Sequence, residues 1–442
     1  LRNFKLALAA ISGALLLAGC SLTDSYFGEA EPPPLPGERE AVLEVSRGPI
    51  ADPEIASLPV TLPPMTGSDW PVAGGDPAHS GGHRAWSEMP GLAWQIDAGT
   101  GAEDAARRPL APPIVSDGRV YVLDAELTVG AFDTRSGAPL WSVPTAPENE
   151  DDGFGGGLAA DDQRVYMAGG HAQAIALNAA DGSEIWRVKL SGPVRAAPAI
   201  AGDLVILTTA DNGVIALNAA DGSRAWTLPG SGEGTGLLGG ASPAVADDTV
   251  VAAFSDGDLV VLRAANGREL WRASLAATRR FGFGSRLSDF GGLPVVADNV
   301  LYATSIAGRT AALTMRVGTR LWEQRIGGSS SVWVAGDYLF VMTDNAELVC
   351  LYRPDGRVRW AQPLPRYEDP EDQSGPLSYA GPVLAGGRLV VVRSNGALLQ
   401  FDPKDGAGLS TLSIGPRTLL PPVVANGTVY TLSEDGTLSA FR

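Results

Sequence analysis

An all-β fold, an eight-bladed β-propeller with four-stranded antiparallel blades, is what this 442-residue sequence predicts. Three observations carry the prediction. An eleven-residue stretch recurs six times without gaps, and its tryptophans stand 45, 40, 45, 51 and 38 residues apart, the period of a four-stranded blade. Glycine (55) and proline (33) punctuate short apolar runs, as turns between strands do. A lone outer-strand pattern near the N-terminus supplies what the last repeat lacks.

The six stretches run Ala131 to Trp141, Ala176 to Trp186, Ala216 to Trp226, Val261 to Trp271, Ala312 to Trp322 and Cys350 to Trp360. Each reads as a hairpin. Its apolar start ends one strand. A pair such as Asp181-Gly182 or Asn266-Gly267 supplies the positive-φ turn. The next strand carries the tryptophan. Companion runs upstream, Pro113 to Val122, Pro198 to Leu207, Pro243 to Ala252, Pro294 to Tyr302 and Pro382 to Val391, give the first two strands of a blade. A seventh copy, Gln400 to Gly406, lacks the tryptophan, and Leu409 and Ser410 occupy its region. An eighth begins at Pro422 and stops before its turn and fourth strand. Gly91 to Ile96, with Trp94, has the pattern of that strand, and pairing it there closes the ring without an open seam. One tryptophan at the same place in each blade packs blade on blade. Trp94, Trp141, Trp186, Trp226, Trp271, Trp322 and Trp360 are therefore structural, not a platform for a stacked quinone.

The N-terminus has a different character. Arg2 and Lys5 precede an apolar run, Leu6 to Leu17, too short to span a bilayer comfortably, so residues 1–19 read as a secretory signal. Leu17-Ala18-Gly19-Cys20 resembles the lipobox of bacterial lipoproteins. That resemblance implies cleavage before Cys20 and acylation of its thiol, and more than one acyl chain gives stable anchoring. Serine at position 21, where aspartate would imply retention at the inner membrane, implies the outer membrane. Residues 20–66 include Glu31-Pro32-Pro33-Pro34-Leu35-Pro36 and read as an extended tether, which leaves residues 67–442 to the propeller.

Composition and charge exclude several functions. A net charge of −17 repels nucleic acid and anionic headgroups. Cys350 sits in the apolar run Leu348 to Leu351 and reads as a small buried hydrophobe. With Cys20 lipidated it has no disulfide partner, and no zinc spacing exists. His79 and His83 stand four apart in a glycine-rich loop with no glutamate between them, so they read as loop packing and not as a metal-binding helix motif. The acidic run of Glu148, Glu150, Asp151 and Asp152 lacks the spacing of a calcium loop. No metal is expected. The Gly-x-Gly clusters lie between strands with no helix after them, which removes support for a nucleotide.

The Ala-x-Asp-x-x-x-Gly-x-x-x-Trp pattern resembles the quinoprotein propeller repeat. That family holds dehydrogenases using pyrroloquinoline quinone and also non-enzymatic members. Among the latter are the BamB proteins, lipoproteins of the outer-membrane β-barrel assembly machinery. Arg286-Leu287-Ser288-Asp289, leading into Pro294-Val295-Val296, is similar to a BamB segment. The resemblance covers residues 90–442 and the lipobox. It implies a scaffold with no catalysis and no cofactor beyond the lipid on Cys20, held at the periplasmic face of the outer membrane. Its implied partners are the periplasmic domains of BamA, other subunits of the machinery, and unfolded outer-membrane β-barrel proteins awaiting insertion. In that family two neighbouring inter-blade loops bind BamA. One matches Arg286, Leu287, Ser288 and Asp289 here, and the other aligns with Leu237 and Leu238. Gly291 stands where the family has a second acidic residue, and Leu238 where it has an arginine. The segment Thr278 to Arg286 is basic and aromatic, which suits an interface anchor. Two other readings stay open. A quinone-dependent dehydrogenase would bring calcium, a catalytic aspartate and often adjacent cysteines, whereas Cys20 and Cys350 are 330 residues apart. A generic envelope scaffold would use the same fold.

Overall fold

A computed structural model describes residues 48–102, 111–147, 156–194, 196–230, 240–276 and 290–442. The expected secretory segment and Cys20 lie outside these residues. The first blade takes Ile114–Ser116, Arg119–Leu123, Thr128–Asp133 and Pro139–Pro144, hydrogen-bonded in that order. Blades 2 to 7 repeat the plan. Their first strands are Gly156–Ala160, Ala199–Ala201, Ala244–Ala246, Val295–Ala297, Trp333–Ala335 and Tyr379–Ala385. Their outer strands are Glu184–Lys189, Arg224–Leu228, Glu269–Ser274, Arg320–Gln324, Val358–Pro363 and Gly408–Ser413. First strands touch between blades 1 and 2 and from blade 3 through blade 7, which gathers them about a common axis.

Blade 8 is assembled from both ends of this sequence. Val423–Ala425, Thr428–Leu432 and Thr437–Phe441 take Leu92–Asp97 as their fourth strand, with Trp94 opposite Ala440. The all-β, eight-bladed fold expected from the repeat is therefore the observed one, closed by the N-terminal outer strand. A small extra hairpin, Tyr367–Asp369 with Ser374–Pro376, sits between blades 6 and 7 and has no counterpart in the repeat.

The repeat motif has a physical reason in cross-strand register. Tyr121, Ala131 and Trp141 face one another across strands two, three and four of blade 1. Tyr166, Ala176 and Trp186 do so in blade 2, and Tyr302, Ala312 and Trp322 in blade 5. The small middle residue lets the two rings meet across it, at 5.8, 6.0 and 6.1 Å between centroids in the three blades. Blade 6 places Cys350 in that middle position between Phe340 and Trp360. That is why a thiol is there: it fills an alanine-sized slot, and burial pushes its pKa well up.

Each tryptophan then clasps the next blade. Trp186 Nε1 donates to Ala219 O at 2.9 Å, and its ring lies on the turn glycine Gly222. The same bond runs from Trp94 to Thr134 O, Trp141 to Ala179 O, Trp226 to Ala264 O, Trp271 to Met315 O, Trp322 to Arg353 O and Trp360 to Pro403 O. The receiver is always the turn between strands three and four of the following blade. Blade 7 has nothing to clasp, because the third and fourth strands of blade 8 come from distant parts of the chain. Its row reads Val390, Gln400, Ser410, with the serine in the tryptophan position.

A strap ahead of the propeller strands fills the gap. We call the end of the ring carrying the first-to-second and third-to-fourth turns the lower face. Residues 66–86 cross it and bond the first strands of seven blades or the residues beside them. Trp70 and Val115 exchange two bonds of 2.8 Å in blade 1, and Ala160 N–H donates to Pro71 O at 2.8 Å in blade 2. Blades 4 to 7 follow through Val245, Val296, Val334 and Leu384, and blade 8 through Asn426. Trp70 stacks on Trp333 at 6.0 Å, and the buried Arg84 guanidinium lies 4.9 Å over Trp70. Where the strap leaves the face, Trp86 Nε1 donates to Phe441 O at 3.1 Å. Arg388 lies 4.8 Å over the Trp86 ring and donates to Ser87 O and Glu88 O. Residues 48–66, which composition places in the tether, run along blade 6: Asp52 N–H donates to Val358 O at 2.8 Å and Ile55 is buried.

Two of the three histidines lie in this strap. His83 holds Pro63 O with Nδ1 and accepts Gly387 N–H with Nε2, both at 2.8 Å. His79 is buried, with Nδ1 2.8 Å from Pro294 O. Burial lowers the His79 pKa, although the Pro294 carbonyl and Asp76 favour the proton. The unfolded chain therefore takes up a proton that the fold resists. Stability from this site is complete above about pH 6.5 and is lost as pH falls from there toward the lower folded value. The slope cannot exceed about 1.4 kcal/mol per pH unit for one proton. Urea midpoints compared at about pH 7.5 and 5.5 should fall less in His79→Gln than in the parent. Equal falls would remove His79 as the cause.

Candidate partner-binding rim

The upper face carries the second-to-third turns and the connections from each outer strand to the next blade. The two sequence-predicted loops are both such connections, and they flank blade 4. Leu237 and Leu238 belong to the one between Leu228 and Ala244, and Arg286, Leu287, Ser288 and Asp289 to the one between Ser274 and Val295. All six residues lie outside the described residues. The described ends of the two connections lie on one rim, on adjacent sides of one blade. The acidic run at 148–152 likewise lies outside the described residues, in the connection between blades 1 and 2.

The described flanks show how these connections are held. The first re-enters the fold through Ala241 and Ser242, both buried. The second re-enters at Phe290, 1% exposed, next to Asp289. Gly291 and Gly292 then lie flat on the backbone that leads into blade 6. A Cβ at Gly291 would stand 2.8 Å from Ser329 Cα and O, and one at Gly292 would stand 2.5 Å from Ser330 O. Leu293 N–H donates to Ser331 Oγ at 2.8 Å. This packing explains the departure at position 291: an acidic side chain has no room there.

Between the two connections, the upper end of blade 4 is a braced polar surface. Asn212 Oδ1 accepts from Ser255 N–H at 3.0 Å and Ser255 Oγ at 3.1 Å, tying the turn of blade 3 to that of blade 4. Arg272 donates to Glu269 and Asp258, each at 3.1 Å, and lies 5.9 Å over the buried Phe254 ring. The Glu269 bond raises the Arg272 pKa, burial opposes it, and Asp258 adds to the rise. Such a pair is exposed to solvent and contributes little stability. Its effect is to fix the charge pattern beside the two connections.

Several upper-rim carboxylates that composition leaves undistinguished are turn caps. Asp124 accepts from Thr100, Glu126 and Thr128 backbone N–H, and Asp344 from Ser329 N–H and Oγ. Asp435 accepts from Ser433 Oγ and Thr437 N–H; burial works against its charge, but these bonds win and lower its pKa. Beside it lies a shallow cavity of about 370 Å³ lined by Gly101, Ala102, Pro416, Arg417, Glu434 and Asp435. Among the described residues no three His, Cys, Asp or Glu side chains gather as a metal site would require.

Comparison with known proteins follows the geometry. The sequence model of the family described as outer membrane protein assembly factor BamB matches residues 125–362 and 369–442. The BamB of Xanthomonas campestris pv. campestris is 32% identical over 338 residues, covering 75% of this chain and 80% of the relative. That of Yersinia pestis is 26% identical over 359 residues, covering 80% of this chain and 88% of the relative. Among solved structures, BamB from Moraxella catarrhalis superposes with a TM-score of 0.68 at 20% identity, over 80% of this chain and all of the other. A quinohemoprotein alcohol dehydrogenase from Comamonas testosteroni superposes with a TM-score of 0.66 at 15% identity, over 85% and 80% of the two chains. The two structural likenesses speak for the propeller fold alone, since enzymes and assembly factors share it. The sequence matches are more selective, and by them this chain belongs to the family of outer membrane protein assembly factor BamB.

Proposed function

We propose that this protein is a non-catalytic lipoprotein of the β-barrel assembly machinery. Cys20 carries the lipid that tethers it to the periplasmic face of the outer membrane. Its upper rim binds the periplasmic domains of BamA through Leu237, Leu238 and the Arg286 to Asp289 segment. It thereby aids insertion of outer-membrane proteins. The observation that carries the reading is the convergence of family membership with topology: the two connections that resemble the family's binding loops flank a single blade on one rim. Gly291 adds a refinement. With no room for a side chain there, Asp289 is the acidic contact on that connection, and Leu237 the apolar one.

The test is binding of a Cys20→Ser chain to the periplasmic domains of the host's BamA. Leu237→Ala alone should weaken binding about two- to fivefold, and Leu237→Ala with Asp289→Ala by about thirtyfold or more, because interface energy concentrates in a few residues. Full binding by the double variant would remove these loops as the interface. No binding by the parent would remove the BamA assignment. The enzyme reading, favoured only by the shared fold, is tested on the same sample by titrating pyrroloquinoline quinone with calcium and following dye reduction.

A further inference from the structure

Between Asp76 and His79 the strap bonds blades 4 and 5, the two blades into which the partner-binding connections run. Val245 N–H donates to Pro77 O at 2.6 Å, and Val296 N–H to Ala78 O at 2.8 Å. Three of the four described ends of those connections share one apolar cluster. Ala241 ends the first, Leu275 opens the second and Phe290 closes it, and the strap adds Ala78 to the same cluster. His79 supplies a side-chain bond. A carbonyl only accepts, so Nδ1 carries a proton and donates to Pro294 O at 2.8 Å. Pro294 follows Asp289 by five residues. His79 is 4% exposed, and its φ of +56° is a conformation that most side chains disfavour and that surrounding bonds must hold. Asp76 fixes the bend by accepting from Ala78 N–H at 2.9 Å, Ser80 N–H at 3.1 Å and Ser80 Oγ at 3.0 Å. Bare backbone at Gly74 seats the imidazole, since a Cβ there would stand 2.7 Å from His79 Cδ2.

We infer that Asp76 to His79 is the positioning element of the partner-binding rim, with His79 its positioning residue. It fixes the first strands of blades 4 and 5 relative to each other, and so sets the spacing of the two connections before a partner arrives. The inference rests on the BamA-binding role proposed above. The strands need such a tie. Ala244–Ala246 and Val295–Ala297 are three residues long and each pairs within its blade on one side only. On the other side the strap supplies the acceptors for Val245 and Val296. A partner that grips both sides of blade 4 at once is sensitive to their spacing, because few residues carry the binding energy. Ordering the two sides during binding costs affinity, and a scaffold that orders them beforehand removes that cost.

The test uses the full Cys20→Ser chain and the periplasmic domains of BamA, with hydrogen exchange read on the same variants. Glycine and asparagine both accept the left-handed backbone at position 79, but only asparagine keeps an N–H donor on its γ carbon, as histidine does. His79→Gly should weaken BamA binding about three- to tenfold and speed exchange of the Val296 amide, and His79→Asn should restore both. Ala78→Gly, which removes the strap's methyl from the cluster, should weaken binding about twofold. Arg388→Ala loosens the strap where it leaves the face. It should lower the melting temperature and bind as the parent does, which separates positioning from general stability. Equal loss of affinity in Arg388→Ala and His79→Gly would overturn the inference. A loss that asparagine does not restore would also overturn it, since ring volume and not the bond would then be the cause. Unchanged affinity in His79→Gly with faster Val296 exchange would sink the positioning role and leave the binding role standing. If His79→Gly does not fold, full affinity in Ala78→Gly decides against the inference. Failure of the parent to bind BamA would remove the binding role and the inference together.

Discussion

Trp186→Ala is expected to destabilise the propeller by about 3–5 kcal/mol, the range for emptying a buried tryptophan site. The indole is 8% exposed, meets Tyr166 at 6.0 Å and donates to Ala219 O across the blade interface. Truncation removes both contacts and leaves the Ala219 carbonyl without its donor. Gly222→Ala attacks the same interface from the other side. Its φ of +71° disfavours any L side chain, by about 1–2 kcal/mol. The added Cβ would also stand 2.8 Å from the Trp186 ring, and such overpacking costs about 1–3 kcal/mol more. The two changes should not add. With the indole gone the new methyl has space, and only the backbone term remains. A double-mutant cycle on urea midpoints should therefore show a favourable coupling of about 1–3 kcal/mol. Strict additivity would mean that the ring and the glycine do not share one space, and the account of the repeat motif would fail with it.

That motif was legible because it states one physical requirement six times. A tryptophan needs a small neighbour across the strand and a bare glycine turn in the next blade, and the sequence repeats all three at fixed spacing. Ring closure was legible for the converse reason: the eighth copy lacked a strand that Trp94 supplied. The strap was not legible. Trp70, Arg84 and Trp86 do not recur, and their partners are remote, with Trp86 and Phe441 separated by 355 positions. Periodicity carries no signal for contacts made once. His79 and His83 read as loop packing, and the structure places both against backbone carbonyls in the strap. The partner-binding residues form a third case. Nothing in their spacing marks Leu237 or Asp289; a resemblance singled them out. What structure adds is the shared rim at which the described ends of their connections lie and the packing that forbids a side chain at Gly291.

Trp86→Ala should produce a loss of similar size to Trp186→Ala but of a different kind. At the interface of blades 2 and 3 the chain itself continues from one blade to the next, so a lost clasp loosens neighbours that stay linked. At the seam, Leu92–Asp97 is held to Thr437–Phe441 by hydrogen bonds and packing, with no peptide joining those two strands. Trp86, 6% exposed, ties the strap to Phe441 O, and Arg388 holds the ring from the other side. Arg388→Ala alone removes the cation–π contact and the donors to Ser87 O and Glu88 O, a loss of about 1–3 kcal/mol. Trp86→Ala costs about 3–5 kcal/mol, and the two together less than the sum because they share contacts. Hydrogen exchange distinguishes the two sites. In Trp86→Ala the amides of residues 92–97 and 437–441 should exchange faster while those of blades 2 and 3 keep their protection, since opening follows the least stable cooperative unit. In Trp186→Ala the pattern should reverse. Uniform acceleration around the ring in both variants would show that the propeller opens as a whole and that the seam is no weaker than any other interface.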